Sequence, residues 1–144
     1  MPRRRLGLLV LVALALALAA IGCSNGPDIE VIRDVTVPSG RGGDLHADVY
    51  ATRSPGATTA TDPALRPVVI MIHGGAWTRG TKTDLASLAK KFAASGFVAV
   101  SIEYDLSAPD RFPHQVQDSQ SWVRYVQQHA AELGVDAGRV GVFG

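Results

Sequence analysis

The sequence predicts an α/β fold in which a β-hairpin is followed by a β-α-β-α-β unit with a mostly parallel sheet. The first observation is a set of three uninterrupted apolar segments, because strands that are covered on both faces lack polar alternation. The second is helical periodicity in the two segments between them, since strands that alternate with helices form parallel sheets with helices on both faces. The predicted apolar strands are residues 68–72, 97–102 and 139–143.

The hairpin is predicted from two alternating segments near the start of the chain. Residues 30–37 and 45–51 alternate polar and apolar side chains, which is typical of half-buried strands. Residues 38–44 are rich in glycine and are predicted to form the turn between them. Residues 52–67 are rich in threonine, alanine and proline, and are predicted to form a surface loop.

Both helices are marked by periodicity and by residues that start or end helices. Thr81 and Asp84 have the spacing of a capping box, and Gly96 can end the first helix. Pro113 can begin the second helix and Gly134 can end it. The predicted inner face of the first helix consists of Leu85, Leu88, Ala89, Phe92 and Ala93. The predicted inner face of the second consists of Val116, Ser119, Val123, Val126, Ala130 and Leu133.

Composition indicates a globular domain, and the sequence gives no sign of nucleic-acid binding or of a metal site. Of the 144 residues, 47% are hydrophobic and 19% are charged, which is enough for one domain with a core. The formal charge of +1 depends on three arginines at the N-terminus, so nothing predicts nucleic-acid binding. His46, His114 and His129 lack the spacing of metal ligands. We therefore expect no metal site and no cofactor.

The N-terminus has the features of an export signal. Arginines at positions 3–5 precede an uninterrupted apolar segment, residues 6–22. This segment is slightly long for a cleaved signal and slightly short for a membrane-spanning helix. Cys23 follows it directly and is the only cysteine, so it cannot form an internal disulfide.

This arrangement resembles a bacterial lipoprotein signal, in which the cysteine is lipidated and becomes the mature N-terminus. The resemblance implies a signal peptide at residues 1–22, a tether at residues 23–29 and a folded domain at residues 30–144. It also implies a lipid anchor on Cys23 that holds an exported protein at the cell envelope. An uncleaved membrane anchor, or a secretory signal with an incidental cysteine, is the alternative.

The segment His73-Gly74-Gly75-Ala76-Trp77 follows the first predicted apolar strand. Ligands bind at the carboxyl ends of parallel strands, and glycines there allow the backbone to approach a ligand closely. Ester hydrolysis passes through a tetrahedral intermediate whose oxyanion is stabilised by backbone N–H groups. We therefore predict that Gly74 and Gly75 supply oxyanion-hole donors, with a simple tight turn as the alternative.

This motif resembles the HGGGW motif of α/β-hydrolase carboxylesterases, in particular the hormone-sensitive-lipase-like and bacterial feruloyl- or acetyl-esterase-like branches. Residues 97–104 are similar to the family's strand that ends in Asp-Tyr-Arg, and residues 139–144 to its approach to the nucleophile strand. Phe112-Pro113 followed by Asp118 also resembles the family pattern. Ala76 replaces the third glycine, and Asp105 stands where arginine is usual.

The resemblance implies the N-terminal half of an α/β-hydrolase fold and a serine-type carboxylic ester hydrolase acting on short acyl or carbohydrate-linked esters. It assigns Gly74, Gly75 and Ala76 to the oxyanion-hole loop. Alternatives are a non-catalytic truncated lipoprotein or pseudogene product that uses half the fold for binding, or a peptidase- or formamidase-like member.

The resemblance also restricts the roles of two side chains in the motif and of Asp118. His73 is expected to support the loop rather than act as the base, because the catalytic histidine comes last in this fold. Trp77 is expected to pack, with substrate contact as the alternative. Asp118 is expected to be structural, because it precedes the nucleophile.

By resemblance, Gly144 is the first glycine of the family's Gly-x-Ser-x-Gly turn. The chain is then truncated at the nucleophile strand, with the serine, acid and histidine outside it. We expect such a chain to be inactive alone and to expose its last strand as a bare apolar edge.

Overall fold

The computed structural model of the protein describes residues 26–39, 43–53, 65–106 and 112–144. The predicted signal peptide, the lipidation residue Cys23 and most of the predicted surface loop lie outside these ranges. Within them, no helix has both the length and the apolar character needed to cross a membrane.

Five strands in the described part of the chain form one sheet. They are β1 (Ile29–Pro38), β2 (Asp44–Thr52), β3 (Arg66–Ile72), β4 (Val98–Ile102) and β5 (Val135–Phe143). Their order across the sheet is β1-β2-β4-β3-β5. β3 is parallel to β4 and β5, whereas β2 is antiparallel to β1 and β4. The predicted fold class is confirmed, and the sheet is mixed because the hairpin joins it through an antiparallel contact.

The helices begin and end near the residues that the sequence indicated. They are a 3₁₀ helix (Lys82–Leu85), α1 (Ala86–Ala94), α2 (His114–Gln128) and α3 (Ala130–Leu133). Thr81 and Asp84 form the predicted capping box, in which each side chain accepts from the other's backbone N–H. Gly134 ends α3 in the left-handed conformation, with φ of 62°.

Each face of the sheet is covered by helices, as predicted. In β3, Val68 and Ile70 face α2 and α3, while Val69 and Met71 face α1. The strand is therefore apolar without alternation. The core beneath α2 includes Val37, Leu45, Val49, Val98, Val100, Ile102, Trp122, Val126 and Val135. The smaller core beneath α1 includes Tyr50, Ala89, Ala93 and Ala99.

The predicted inner face of α2 is wrong at its N-terminal end. Val116 is 43% exposed, and Ser119 is only partly buried. The positions that α2 does bury are Gln115, Asp118, Trp122 and Val126. The buried face of α2 was predicted wrongly because the prediction used the spacing of apolar residues. Gln115 and Asp118 are polar, and they are buried because they form hydrogen bonds.

The predicted second helix is also interrupted, because α2 ends before His129 and α3 begins after it. Val123 therefore lies on α2, whereas Ala130 and Leu133 lie on α3. All three side chains pack at the margin of the core beneath α2.

β5 lies at the edge of the described sheet, beside β3. Its side chains Val142 and Phe143 are 62% and 40% exposed. An apolar strand with an unpaired edge can pair with another chain. Among the described residues β5 is an edge strand, and the expectation of a bare edge stays a prediction for the complete protein.

Candidate active site

The segment after β3 has an unusual backbone, and we refer to residues 73–80 as the glycine loop. The φ angles of Gly75, Ala76 and Trp77 are 127°, 53° and 63°. Residues other than glycine rarely adopt positive φ, so the surroundings must hold Ala76 and Trp77 in this conformation. Because β3 is parallel to both its neighbours, its carboxyl end lies at the edge where ligands bind in such sheets.

Gly75 is at the tightest point of the loop. Its carbonyl oxygen accepts hydrogen bonds from the backbone N–H of Thr78 at 3.0 Å and of Arg79 at 3.3 Å. The hydroxyl of Thr78 donates to the same oxygen at 3.1 Å. A Cβ atom at Gly75 would lie 1.9 Å from the carbonyl oxygen of Arg79. The position therefore requires glycine for both its φ and its space.

The loop leaves backbone donors available at its tip. Among the described residues, no hydrogen bond has the backbone N–H of Gly74, Gly75 or Ala76 as its donor. Consecutive unpaired N–H groups at the end of a parallel strand can bind an anionic oxygen. Unpaired donors are one requirement of the oxyanion role, which stays a prediction for these three residues.

His73 is the first residue of the glycine loop, and its side chain is buried. Its Nδ1 lies 2.8 Å from the carbonyl oxygen of Gly74, and because a carbonyl only accepts, Nδ1 carries the proton. The ring stacks on Tyr104 with centroids 4.5 Å apart. The Tyr104 hydroxyl in turn donates to the His73 carbonyl oxygen at 2.9 Å. These contacts are the ones that a loop-supporting role for His73 requires.

Trp77 is half exposed, with 50% of its surface accessible. Its ring contacts Tyr104 at a centroid distance of 5.5 Å and a tilt of 58°. Part of the indole therefore packs against a neighbouring ring, and the remainder is open to a ligand.

Helix α2 fixes the chain that follows β4. The Asp118 carboxylate accepts from the backbone N–H of Asp105 at 3.0 Å. The Gln115 amide donates to the Asp105 carbonyl oxygen at 3.4 Å, and the Trp122 indole donates to that of Glu103 at 3.1 Å. The same Asp118 carboxylate accepts from the hydroxyl of Ser39 at 3.4 Å. Asp118 thus joins three segments of the chain through its hydrogen bonds.

A group of charged side chains joins the 3₁₀ helix after the loop to the hairpin. Lys82 Nζ lies 2.7 Å from Asp34, 3.6 Å from Glu103 and 3.9 Å from the buried carboxylate of Asp48. Arg33 pairs with Asp48 at 3.1 Å. The hydrogen bond from Lys82 lowers the pKa of Asp34, and the same bond raises the pKa of Lys82. Both groups remain charged at neutral pH and hold the downstream end of the loop against the sheet.

A cleft of about 490 Å³ lies beside the glycine loop. Its wall includes His73, Gly80 and Tyr104, together with the carboxylates Asp44 and Glu103. The part of the chain that the structure describes contains no cluster of three or more potential metal ligands.

The family of the chain follows from comparison with known proteins. The model of the BD-FAE family matches residues 57–144, a range that contains β3, the glycine loop, α1, β4, α2, α3 and β5. The chain belongs to the BD-FAE family. Carboxylesterase NlhH of Mycobacterium tuberculosis is 35% identical over 79 residues, which are 54% of this chain and 25% of the relative. Esterase LipI of the same species is 30% identical over 87 residues, or 60% of this chain and 27% of the relative.

Solved structures of esterases share the fold of this BD-FAE chain. The esterase of the archaeon Pyrobaculum calidifontis superposes with a TM-score of 0.66 at 30% identity, covering 90% of this chain and 38% of that one. A bacterial heroin esterase has the same TM-score at 27% identity, covering 93% and 40%. The resemblance to α/β-hydrolase carboxylesterases is therefore confirmed. The chain spans about a quarter of the length of the curated relatives named above.

Sequence reasoning missed Gly80, which closes the glycine loop in this BD-FAE chain. Its φ is 107°, and a Cβ atom there would lie 2.3 Å from His73 Nδ1 and 2.5 Å from the Gly74 carbonyl oxygen. Gly80 thus leaves room for the hydrogen bond between those two groups. Its position directly before the capping residue Thr81 was the available signal, because a glycine there marks a change of chain direction.

Proposed function

We propose that the protein, in its complete form, is a serine-type carboxylic ester hydrolase in which the glycine loop forms the oxyanion hole. The observation that carries this proposal is that the N–H groups of Gly74, Gly75 and Ala76, at the carboxyl end of β3, donate no hydrogen bond to any described residue. Such donors stabilise the charge that develops on the carbonyl oxygen during ester hydrolysis. The esterase relatives support the same class of reaction.

The position of Gly144 supports the proposed source of the nucleophile. A Cβ atom at Gly144 would lie 3.4 Å from the carbonyl oxygen of Ile72, the residue directly before the glycine loop. A serine two residues past Gly144, on a sharp turn after β5, would therefore start beside the predicted oxyanion donors. In this proposal the serine, the acid and the histidine all lie outside the 144 residues.

The proposed substrates are short acyl or carbohydrate-linked esters, held with the carbonyl oxygen toward Gly74 and Gly75. The exposed face of Trp77 is the proposed contact for the group next to the scissile bond. In this proposal His73 acts on the loop through the hydrogen bond from its Nδ1 to the Gly74 carbonyl oxygen. It is not the proposed base, because the catalytic histidine comes last in this fold.

The proposal is tested by assaying the complete protein on p-nitrophenyl acetate, beside the 144-residue chain. We expect turnover only in the complete protein, labelling of a single serine by a fluorophosphonate, and loss of both when that serine is replaced by alanine. Turnover by the 144-residue chain would place the nucleophile within it. A complete protein that neither turns over esters nor reacts with the fluorophosphonate would favour a binding function.

We propose further that Cys23 is lipidated and holds the protein at the cell envelope. The support is the single cysteine directly after the apolar segment at residues 6–22. A single acyl chain gives only marginal membrane binding, so stable anchoring needs a multiply acylated cysteine.

Replacing Cys23 with alanine is expected to move the protein from the membrane fraction to the soluble fraction, or to leave an unprocessed precursor. Cell fractionation and incorporation of a labelled fatty acid measure the effect, with Ser24→Ala as the matched control. Equal membrane binding and processing in Cys23→Ala and the unmodified protein would rule out the lipid anchor.

A further inference from the structure

The upstream half of the glycine loop is also held by contacts from outside the loop. Within the loop, Thr78 and Arg79 donate to the Gly75 carbonyl oxygen and fix the downstream half, whereas the described hydrogen bond in the upstream half runs from His73 Nδ1 to the Gly74 carbonyl oxygen. The positive φ angles of Ala76 and Trp77 are strained, so these angles persist only where contacts with the rest of the structure hold them. A second set of contacts must therefore fix the His73 side of the loop.

Tyr104 supplies that second set. Its hydroxyl donates to the His73 carbonyl oxygen at 2.9 Å, and its ring stacks on the His73 imidazole. The same ring contacts Trp77 at 5.5 Å, so a single side chain touches the loop on both sides of the unpaired N–H groups. Burial raises the pKa of the Tyr104 phenol further above neutral, so the hydroxyl stays protonated and can donate.

Tyr104 is itself fixed by α2. The residues before and after it, Glu103 and Asp105, are bonded through their backbones to Trp122, Asp118 and Gln115. These are three of the four side chains that α2 buries. The polar inner face of this helix therefore holds the backbone on either side of Tyr104 and directs its ring at the loop.

We infer that Tyr104 is a positioning residue for the oxyanion hole, acting through the His73 backbone. This inference rests on the proposed function. The hydroxyl sets the orientation of the His73–Gly74 peptide, and the ring limits the conformations open to His73 and Trp77. Loss of the hydroxyl alone should misalign the donors without removing any group that binds the substrate.

The test is Tyr104→Phe in the complete protein, with Tyr125→Phe as the matched control. Tyr125 is on α2, and its ring stacks on His129 and contacts Trp122, contacts that Tyr125→Phe retains. For Tyr104→Phe we expect kcat on p-nitrophenyl acetate to fall about tenfold, the change that one lost hydrogen bond produces, with KM within about twofold. Affinity for a trifluoromethyl ketone should fall by a similar factor, because its adduct uses the same oxyanion donors.

A second readout is independent of ester turnover. In protein labelled with ¹⁵N-glycine, Tyr104→Phe should shift or broaden the amide resonances of Gly74 and Gly75, while Gly96 and Gly134 stay unchanged. Altered loop resonances in a protein that hydrolyses no ester would uphold the positioning role and reject the proposed function. Full activity together with unchanged Gly74 and Gly75 resonances would overturn the positioning role alone. A variant that lost only thermal stability, with kcat and inhibitor affinity retained, would also overturn it.

Discussion

Replacing Gly75 with alanine in the complete protein is expected to lower kcat for p-nitrophenyl acetate by about two orders of magnitude or more. The added Cβ would lie 1.9 Å from the Arg79 carbonyl oxygen, at a backbone φ of 127° that alanine rarely adopts. The loop must therefore open, which displaces the N–H groups of Gly74 and Ala76.

The matched control for this change is Gly96→Ala. Gly96 also has a positive φ, of 90°, but it follows α1 and has no atom within 4 Å of an added Cβ. We expect that variant to lose some stability and to keep its kcat. A folded Gly75→Ala variant with the kcat of the unmodified protein would exclude this loop from the oxyanion hole.

Replacing Trp122 with alanine is expected to reduce the free energy of unfolding by about 4 kcal/mol. Trp122 is fully buried and packs in the core beneath α2, so truncation leaves a large cavity. It also removes the donor to the Glu103 carbonyl oxygen, which leaves a backbone acceptor unpaired. Urea titration followed by circular dichroism measures the change.

Val116→Ala is the comparison on the same helix. Val116 is exposed, so its truncation should change the free energy of unfolding by about 0.5 kcal/mol or less. This pair also tests the helix face directly. A larger loss in Val116→Ala than in Trp122→Ala would mean that α2 presents the predicted apolar face to the sheet instead of the face that carries Trp122.

The uninterrupted apolar segments were enough to predict the buried strands and the fold class. β3 and β4 are buried on both faces, so their uninterrupted apolar segments identified them, and the alternation of strands and helices gave the fold class. The Gly74-Gly75 pair was identifiable because two glycines directly after a buried strand indicate a close backbone approach or a tight turn. Its catalytic role stays a prediction.

Long-range polar contacts were beyond sequence reasoning. Gln115 and Asp118 look like solvent-facing residues until the backbone of Asp105 is placed against them. The roles of Gly80 and Tyr104 likewise become visible only from their distances to His73 in the structure. In each case the partner lies far away in the sequence or across a turn, and residue spacing along one helix or strand carries no record of it.

The place of β3 between β4 and β5 has a consequence for how the protein folds. Ile72 pairs with Ile102 on one side and Met71 with Phe143 on the other, so both neighbours of β3 are synthesised long after it. Contacts of such high sequence separation form late and slow the folding of a chain. The glycine loop at the end of β3 cannot take its shape from local sequence alone. We therefore expect it to become ordered only after β4 and β5 have docked on β3.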